Sequence, residues 1–140
     1  MSCNDPMEQR PAARECRSLC AAHVICVVDD DDEVRESIGA FFRSVGMSVK
    51  GFAAAESLLS WPELDAMECL ITDLHMPGMS GFDLQQQLRL QGRSVPTIMM
   101  SAYATSETKR EAERLGIAFF LEKPADPELL LDRVESLLGT

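Results

Sequence analysis

Val24-Ile25-Cys26-Val27-Val28-Asp29-Asp30-Asp31-Asp32-Glu33-Val34 passes from an unbroken apolar run into four consecutive carboxylates and then into a helical pattern. Five apolar residues in a row, three of them valines, read as a strand covered on both faces, the situation of a strand in a parallel sheet. Beyond the acids, Val34, Ile38, Phe41 and Val45 recur at helical spacing until Gly46, which predicts a helix over residues 32–45 with those four side chains inward. Asp31 and Asp32 then read as first-turn acids, favoured there by the helix dipole.

Outward from this unit the same alternation repeats four times. Strands are predicted at Val24–Val28, Ser48–Phe52, 69–72, Thr97–Ser101 and 117–121. Between them a second helix fits residues 54–60, ending ahead of Pro62 because a proline disfavours helix in the residue before it. A third runs over Gly81–Leu90 with Leu84, Leu88 and Leu90 inward and Gly92 behind it. A fourth follows Ala104, capped by Ser106, charged over most of its surface and stopped at Gly116. The last begins at Pro127 behind a capping Asp126 and buries Leu130, Val134 and Leu137. Alternating strands and helices of this kind predict an α/β fold, a five-stranded parallel sheet doubly wound with five helices.

The chain has 140 residues, 46% of them hydrophobic, enough for one domain with a core of its own. Its 23 acidic side chains against 13 basic ones give a net charge of -10, which repels phosphodiester backbones and anionic lipid. Direct nucleic-acid and membrane-surface binding are therefore excluded as expectations. No apolar run approaches the roughly 18 residues that a membrane-crossing helix needs. Residues 1–22 carry balanced charge and no stretch resembling a signal peptide; they are predicted to be a flexible extension, with 11–22 a marginal helix, ahead of a domain at 23–140. Cys26 and Cys69 lie inside apolar runs as small hydrophobes, consistent with a reducing cytoplasm. Cys16, Cys20 and His23, even with Cys3, match no zinc spacing.

Open parallel sheets bind ligands beyond the carboxyl ends of their strands. There the first strand leads into Asp29-Asp30, the third into Asp73, the fourth ends in Ser101, and the fifth is followed within two residues by Lys123-Pro124. Carboxylates crowded together repel one another, and a hard cation such as Mg²⁺ relieves that repulsion with oxygen ligands. An aspartate can also attack phosphorus to give an acyl phosphate, with a lysine and a hydroxyl to meet the phosphoryl oxygens.

In order and spacing, VICVVDDDDEVRES, LITDLHMPGMSGFDL, TIMMSAYA and GIAFFLEKP closely resemble the segments of receiver domains of two-component response regulators, over residues 23–138. They are most similar to receivers of the nitrogen-fixation and nitrate-response type. The resemblance implies a flavodoxin-like sheet of strand order 2-1-3-4-5. It implies that Asp73 accepts a phosphoryl group from a sensor histidine kinase or histidine phosphotransfer protein. Asp30 would bind Mg²⁺ directly, Asp29 through water or as a support, and His75 through its backbone carbonyl. Ser101 and Phe120 would be the switch residues, Lys123 the ion-pair partner of the phosphoryl group, and Pro124 would follow a cis peptide. The switched surface would comprise the fourth helix, fifth strand and last helix, facing a partner or a second copy. Such a chain catalyses at most its own phosphorylation and dephosphorylation and works in the cytoplasm.

Three further readings stand beside this one. The run of four aspartates permits a metal pair shifted by one residue from Asp29-Asp30. Asp30-Asp31-Asp32-Glu33-Val34 also fits the D-x-D-x-[TV] motif of haloacid dehalogenase type phosphohydrolases, which leaves Asp73 and Lys123-Pro124 without roles. A receiver-like module that binds a partner without phosphorylation is the third. His75 and Tyr103, two positions past Asp73 and Ser101, are expected to flank the phosphoryl group and slow attack by water. Whether the domain stands alone or was cut from a longer regulator is open in the sequence.

Overall fold

Val24–Val28 (β1) pairs with Ser48–Phe52 (β2) on one side and Cys69–Asp73 (β3) on the other, so the most apolar run of the chain sits inside the sheet. Thr97–Ser101 (β4) and Phe119–Glu122 (β5) complete a wholly parallel sheet of order β2-β1-β3-β4-β5. This is the expected flavodoxin-like arrangement. The computed structural model describes residues 23–139. The expected extension 1–22, its short helix and Cys3, Cys16 and Cys20 lie outside the described residues.

Because side chains alternate across a strand, β1 feeds two cores at once. Cys26 and Val28 point to one face, where Leu58 of α2 (Ala55–Leu59) and Leu84 and Leu88 of α3 (Gly81–Leu90) close over them. Ile25 and Val27 point to the other, under Ile38 and Phe42 of α1 (Asp32–Ser44) and Leu130 and Val134 of α5 (Pro127–Leu138). A third cluster of Leu74, Met99, Ala112, Leu115 and Ile117 lies beneath α4 (Ser106–Arg114). Each large apolar side chain so buried contributes about 1.5–3 kcal/mol.

Several boundaries differ from the sequence reading. In α1 the inward row is Ile38 and Phe42, four apart, while Val34 and Phe41 pack at its margin and Val45, just past the last helical residue, is 48% exposed. Leu90, in the last turn of α3, is 75% exposed and faces away from the sheet. The second helix covers only Ala55–Leu59, with Ala54 and Ser60 as its caps. Strand β3 includes Asp73, because Asp73 pairs with Met100 and the Leu74 N–H continues the ladder to the Met100 carbonyl. Strand β5 starts at Phe119 rather than 117, since the Ile117 N–H is turned back to the Ala112 carbonyl in the turn that Gly116 makes at φ +77°. It runs on through Glu122, opposite Ser101. Thr105, not Ser106, caps α4: its Oγ1 accepts from the Thr108 N–H while the Thr108 hydroxyl accepts from the Thr105 N–H.

Candidate functional site

At the carboxyl end of β1 the chain must leave the sheet and start α1 within three residues, and the aspartates carry out that turn. Asp31 is the helix cap, its Oδ1 accepting from the Glu33 N–H at 2.9 Å. Asp29, fully buried, accepts the Asp31 N–H at 3.0 Å through Oδ1. Asp32 is exposed and pairs with Arg35. With Asp31 and Asp32 so occupied, the carboxylates that converge are those of Asp29, Asp30 and Asp73, each offering an oxygen within 4.8 Å of the others. Asp29 and Asp73 are buried, and Asp30 is exposed at the mouth.

Asp73 ends β3 and is 5% exposed. Its backbone is tightly enclosed. Thr72 Oγ1 donates to the Asp73 carbonyl at 3.0 Å, and a Cβ on Gly81, at the start of α3, would stand 2.7 Å from that same oxygen. Only glycine lets α3 approach so closely, and the Gly81 N–H bonds the Leu74 carbonyl at 2.9 Å.

Lys123 enters from the β5–α5 connection, after which the Lys123-Pro124 peptide is cis, as the resemblance implied. Its backbone N–H bonds the Ser101 carbonyl at 2.8 Å, and its Nζ lies 3.0 Å from Asp29 Oδ2 and 3.5 Å from Asp73 Oδ2. Burial works against the ammonium charge, but the hydrogen bond and charge of Asp29, followed by those of Asp73, raise its pKa overall. Asp73 shifts upward because burial and the neighbouring Asp29 charge outweigh Lys123 and the His75 N–H. One ammonium thus faces three carboxylates. The oxygen-only donor set with two acids left uncompensated fits a hard divalent cation.

Ser101, fully buried at the end of β4, accepts the Tyr103 N–H through its hydroxyl at 3.0 Å. Phe120 is half-buried and packs on the cluster beneath α4. His75 and Tyr103 are exposed and meet edge to face, ring centroids 6.0 Å apart, so the loops after β3 and β4 touch beside Asp73. Two participants escaped the sequence reading: Gly81, with its close approach, and Arg35, whose Nη1 donates to the Asp29 carbonyl at 2.7 Å. For Arg35 the i,i+3 spacing to Asp32 was the available signal. By contrast Cys26 and Cys69 are inert core thiols, each pushed up to about 12 chiefly by burial. No helix among the described residues is long and apolar enough to cross a membrane.

Known proteins are similar to this chain in fold and in sequence. The fold is similar to that of the chemotaxis protein CheY4 of Vibrio cholerae, a solved structure that superposes with TM-score 0.78 at 26% identity, covering 84% of this chain and 99% of that one. The response regulator protein TodT of Pseudomonas putida is 37% identical over 117 residues, 84% of this chain and 52% of TodT. The transcriptional regulatory protein FixJ of Azorhizobium caulinodans is 36% identical over 113 residues, 81% of this chain and 54% of FixJ. The chain spans about half the length of these curated relatives. The family model of the response regulator receiver domain matches residues 25–135, from β1 into α5, and the chain belongs to that family of two-component response regulators.

Proposed function

We propose that the chain is a phosphoacceptor whose nucleophile is Asp73. The observation that carries this reading is the meeting of Asp29, Asp30 and Asp73 with Lys123 Nζ 3.5 Å from Asp73. A sensor histidine kinase or histidine phosphotransfer protein presents a phosphohistidine. A carboxylate oxygen of Asp73 bonds to phosphorus as the P–N bond breaks; the electron pair stays on the imidazole nitrogen, which takes up a proton. Asp29, Asp30, Asp73 and the His75 carbonyl would hold Mg²⁺. When bound, that ion neutralises charge on the transferring oxygens.

The protein's own groups do the rest. Lys123, already between Asp29 and Asp73, is the cation nearest the new phosphoryl oxygens. The Ser101 hydroxyl keeps a proton to donate while it accepts the Tyr103 N–H. A phosphoryl group adds about 1.5–2 negative charges, enough to bias a two-state surface. Phe120, packed beneath α4, would carry the change at Ser101 to the α4-β5-α5 face. That face then meets an output partner or a second copy, in the cytoplasm, in a domain spanning 23–140. Replacing His75 and Tyr103 together with alanine should shorten the phosphoryl lifetime, because their rings cover the approach of water; a lifetime equal to wild type would remove them from the mechanism.

Intact mass after incubation with Mg²⁺ and acetyl phosphate tests the proposal. One added phosphoryl group, absent without Mg²⁺ and in Asp73→Ala, is expected. A folded protein that gains no mass would instead indicate a module that works without phosphorylation.

A further inference from the structure

Arg35 lies one turn into α1 and ties together the two ends of the acid turn. Its Nη1 donates to the backbone carbonyl of Asp29 at 2.7 Å and its Nη2 to the Asp32 carboxylate. The side chain is only 19% exposed, and its stem runs past Gly51 of β2, with Cδ 3.5 Å from where a Cβ there would stand. The Asp29 carbonyl belongs to the peptide that leads into Asp30. Holding that oxygen fixes the plane from which the Asp30 side chain departs.

The neighbours of Asp30 are already fixed. The Asp29 N–H bonds the Phe52 carbonyl at 3.1 Å, and its carboxylate is held by the Asp31 N–H and by Lys123. Asp30, exposed at the mouth, has the freest side chain of the three converging acids. We infer that Arg35 is a positioning residue for the divalent cation, clamping the peptide between Asp29 and Asp30 so that the Asp30 carboxylate stays aimed at Asp29 and Asp73. This rests on the cation site of the proposed function.

Electrostatics alone argues the opposite. A guanidinium near a divalent cation repels it, so if charge were its whole effect, removing Arg35 would tighten binding. A lysine keeps the charge but lacks the planar fork that serves two acceptors at once. Arg35→Lys and Arg35→Gln therefore separate the two effects. Lysine and glutamine are both good helix formers with flexible unbranched stems, so both variants should fold at this half-buried position.

The experiment is isothermal titration of the full chain with Mg²⁺ alone, wild type beside the two variants, with melting in the absence of Mg²⁺ to verify the fold. Both variants are expected to bind Mg²⁺ about tenfold more weakly, the scale seen when groups that orient metal ligands are removed. Their melting without metal should stay near wild type. Unchanged affinity in Arg35→Lys, or tighter binding in Arg35→Gln, would overturn the inference while leaving the cation site standing. A wild-type chain that takes up no Mg²⁺ would overturn the site itself and the inference with it.

Discussion

The two ends of the sheet handle polar groups in opposite ways. At the amino end, polar groups answer one another in pairs: His23 Nδ1 meets Glu68 at 2.5 Å, Arg93 pairs with Asp65, and the buried Thr97 hydroxyl donates to Gln85 Oε1 at 2.9 Å. At the carboxyl end three carboxylates converge and the two buried ones share Lys123, with Asp73 shifted upward by burial and by Asp29. Between the two ends the central strands β1, β3 and β4 are buried over nearly their whole length. Buried surplus charge costs stability and persists where a ligand or reaction needs it. One end of the sheet thus holds the fold together, and the other keeps a surplus of negative charge of the kind a hard divalent cation relieves.

Substitutions at each end should separate these roles. The largest effect is expected where the two overlap. Gly81→Ala sets a Cβ against the Asp73 carbonyl, so it should lower urea stability by about 3 kcal/mol, at the upper end of overpacking costs, and also slow phosphorylation by acetyl phosphate. Stability lost with an unchanged rate would show that the backbone of Asp73 tolerates displacement. Next, Thr97→Val leaves the Gln85 amide oxygen without its donor and should cost about 2 kcal/mol. The phosphorylation rate should not move; if it falls, the ends are coupled through β4.

The smallest effect has the opposite sign. The raised pKa of Asp73 means that folding favours its protonated form. The associated stability is fully present below the unfolded value of 3.8 and is lost as pH rises through the higher folded value. At neutral pH the wild type bears that loss and Asp73→Asn does not. The variant should be more stable by on the order of 1 kcal/mol, typical of a relieved functional site. That corresponds to a melting point about 3 °C higher for a domain of this size. The gap should open between acid and neutral pH and shrink for wild type given Mg²⁺, which binds the folded state. A variant no more stable than wild type at neutral pH would place the charge imbalance elsewhere.

How much of this was legible in the sequence depends on whether a feature is local or a matter of packing. The strands around Ile25, Ile71 and Ile98 announced themselves as apolar runs because they are covered on both faces. The sheet order and the convergence of Asp29, Asp30, Asp73 and Lys123 followed from motif order along a familiar scaffold. Strand ends were less legible, since Asp73 and Glu122 stay in the ladder through backbone bonds that polarity does not reveal. Ile117 looked like strand but packs under α4 beside Leu115. Phe42 displaced Phe41 from the inner row because the helix phase is set by Ile38 against the sheet, and two adjacent phenylalanines give periodicity no means of choosing. Spacing within α1 could signal the Arg35–Asp32 pair, but the Arg35 bond to the Asp29 carbonyl and the Gly81 approach are contacts between elements, which spacing along one element cannot report.

The most direct test of the central claim is to find which atom carries the phosphoryl group. Borohydride reduces an aspartyl phosphate to homoserine, and tandem mass spectrometry of peptides from protein treated with Mg²⁺ and acetyl phosphate locates it. Homoserine at position 73 alone is the predicted result. Homoserine at position 29 or 30, with Asp73 unmodified, would contradict it.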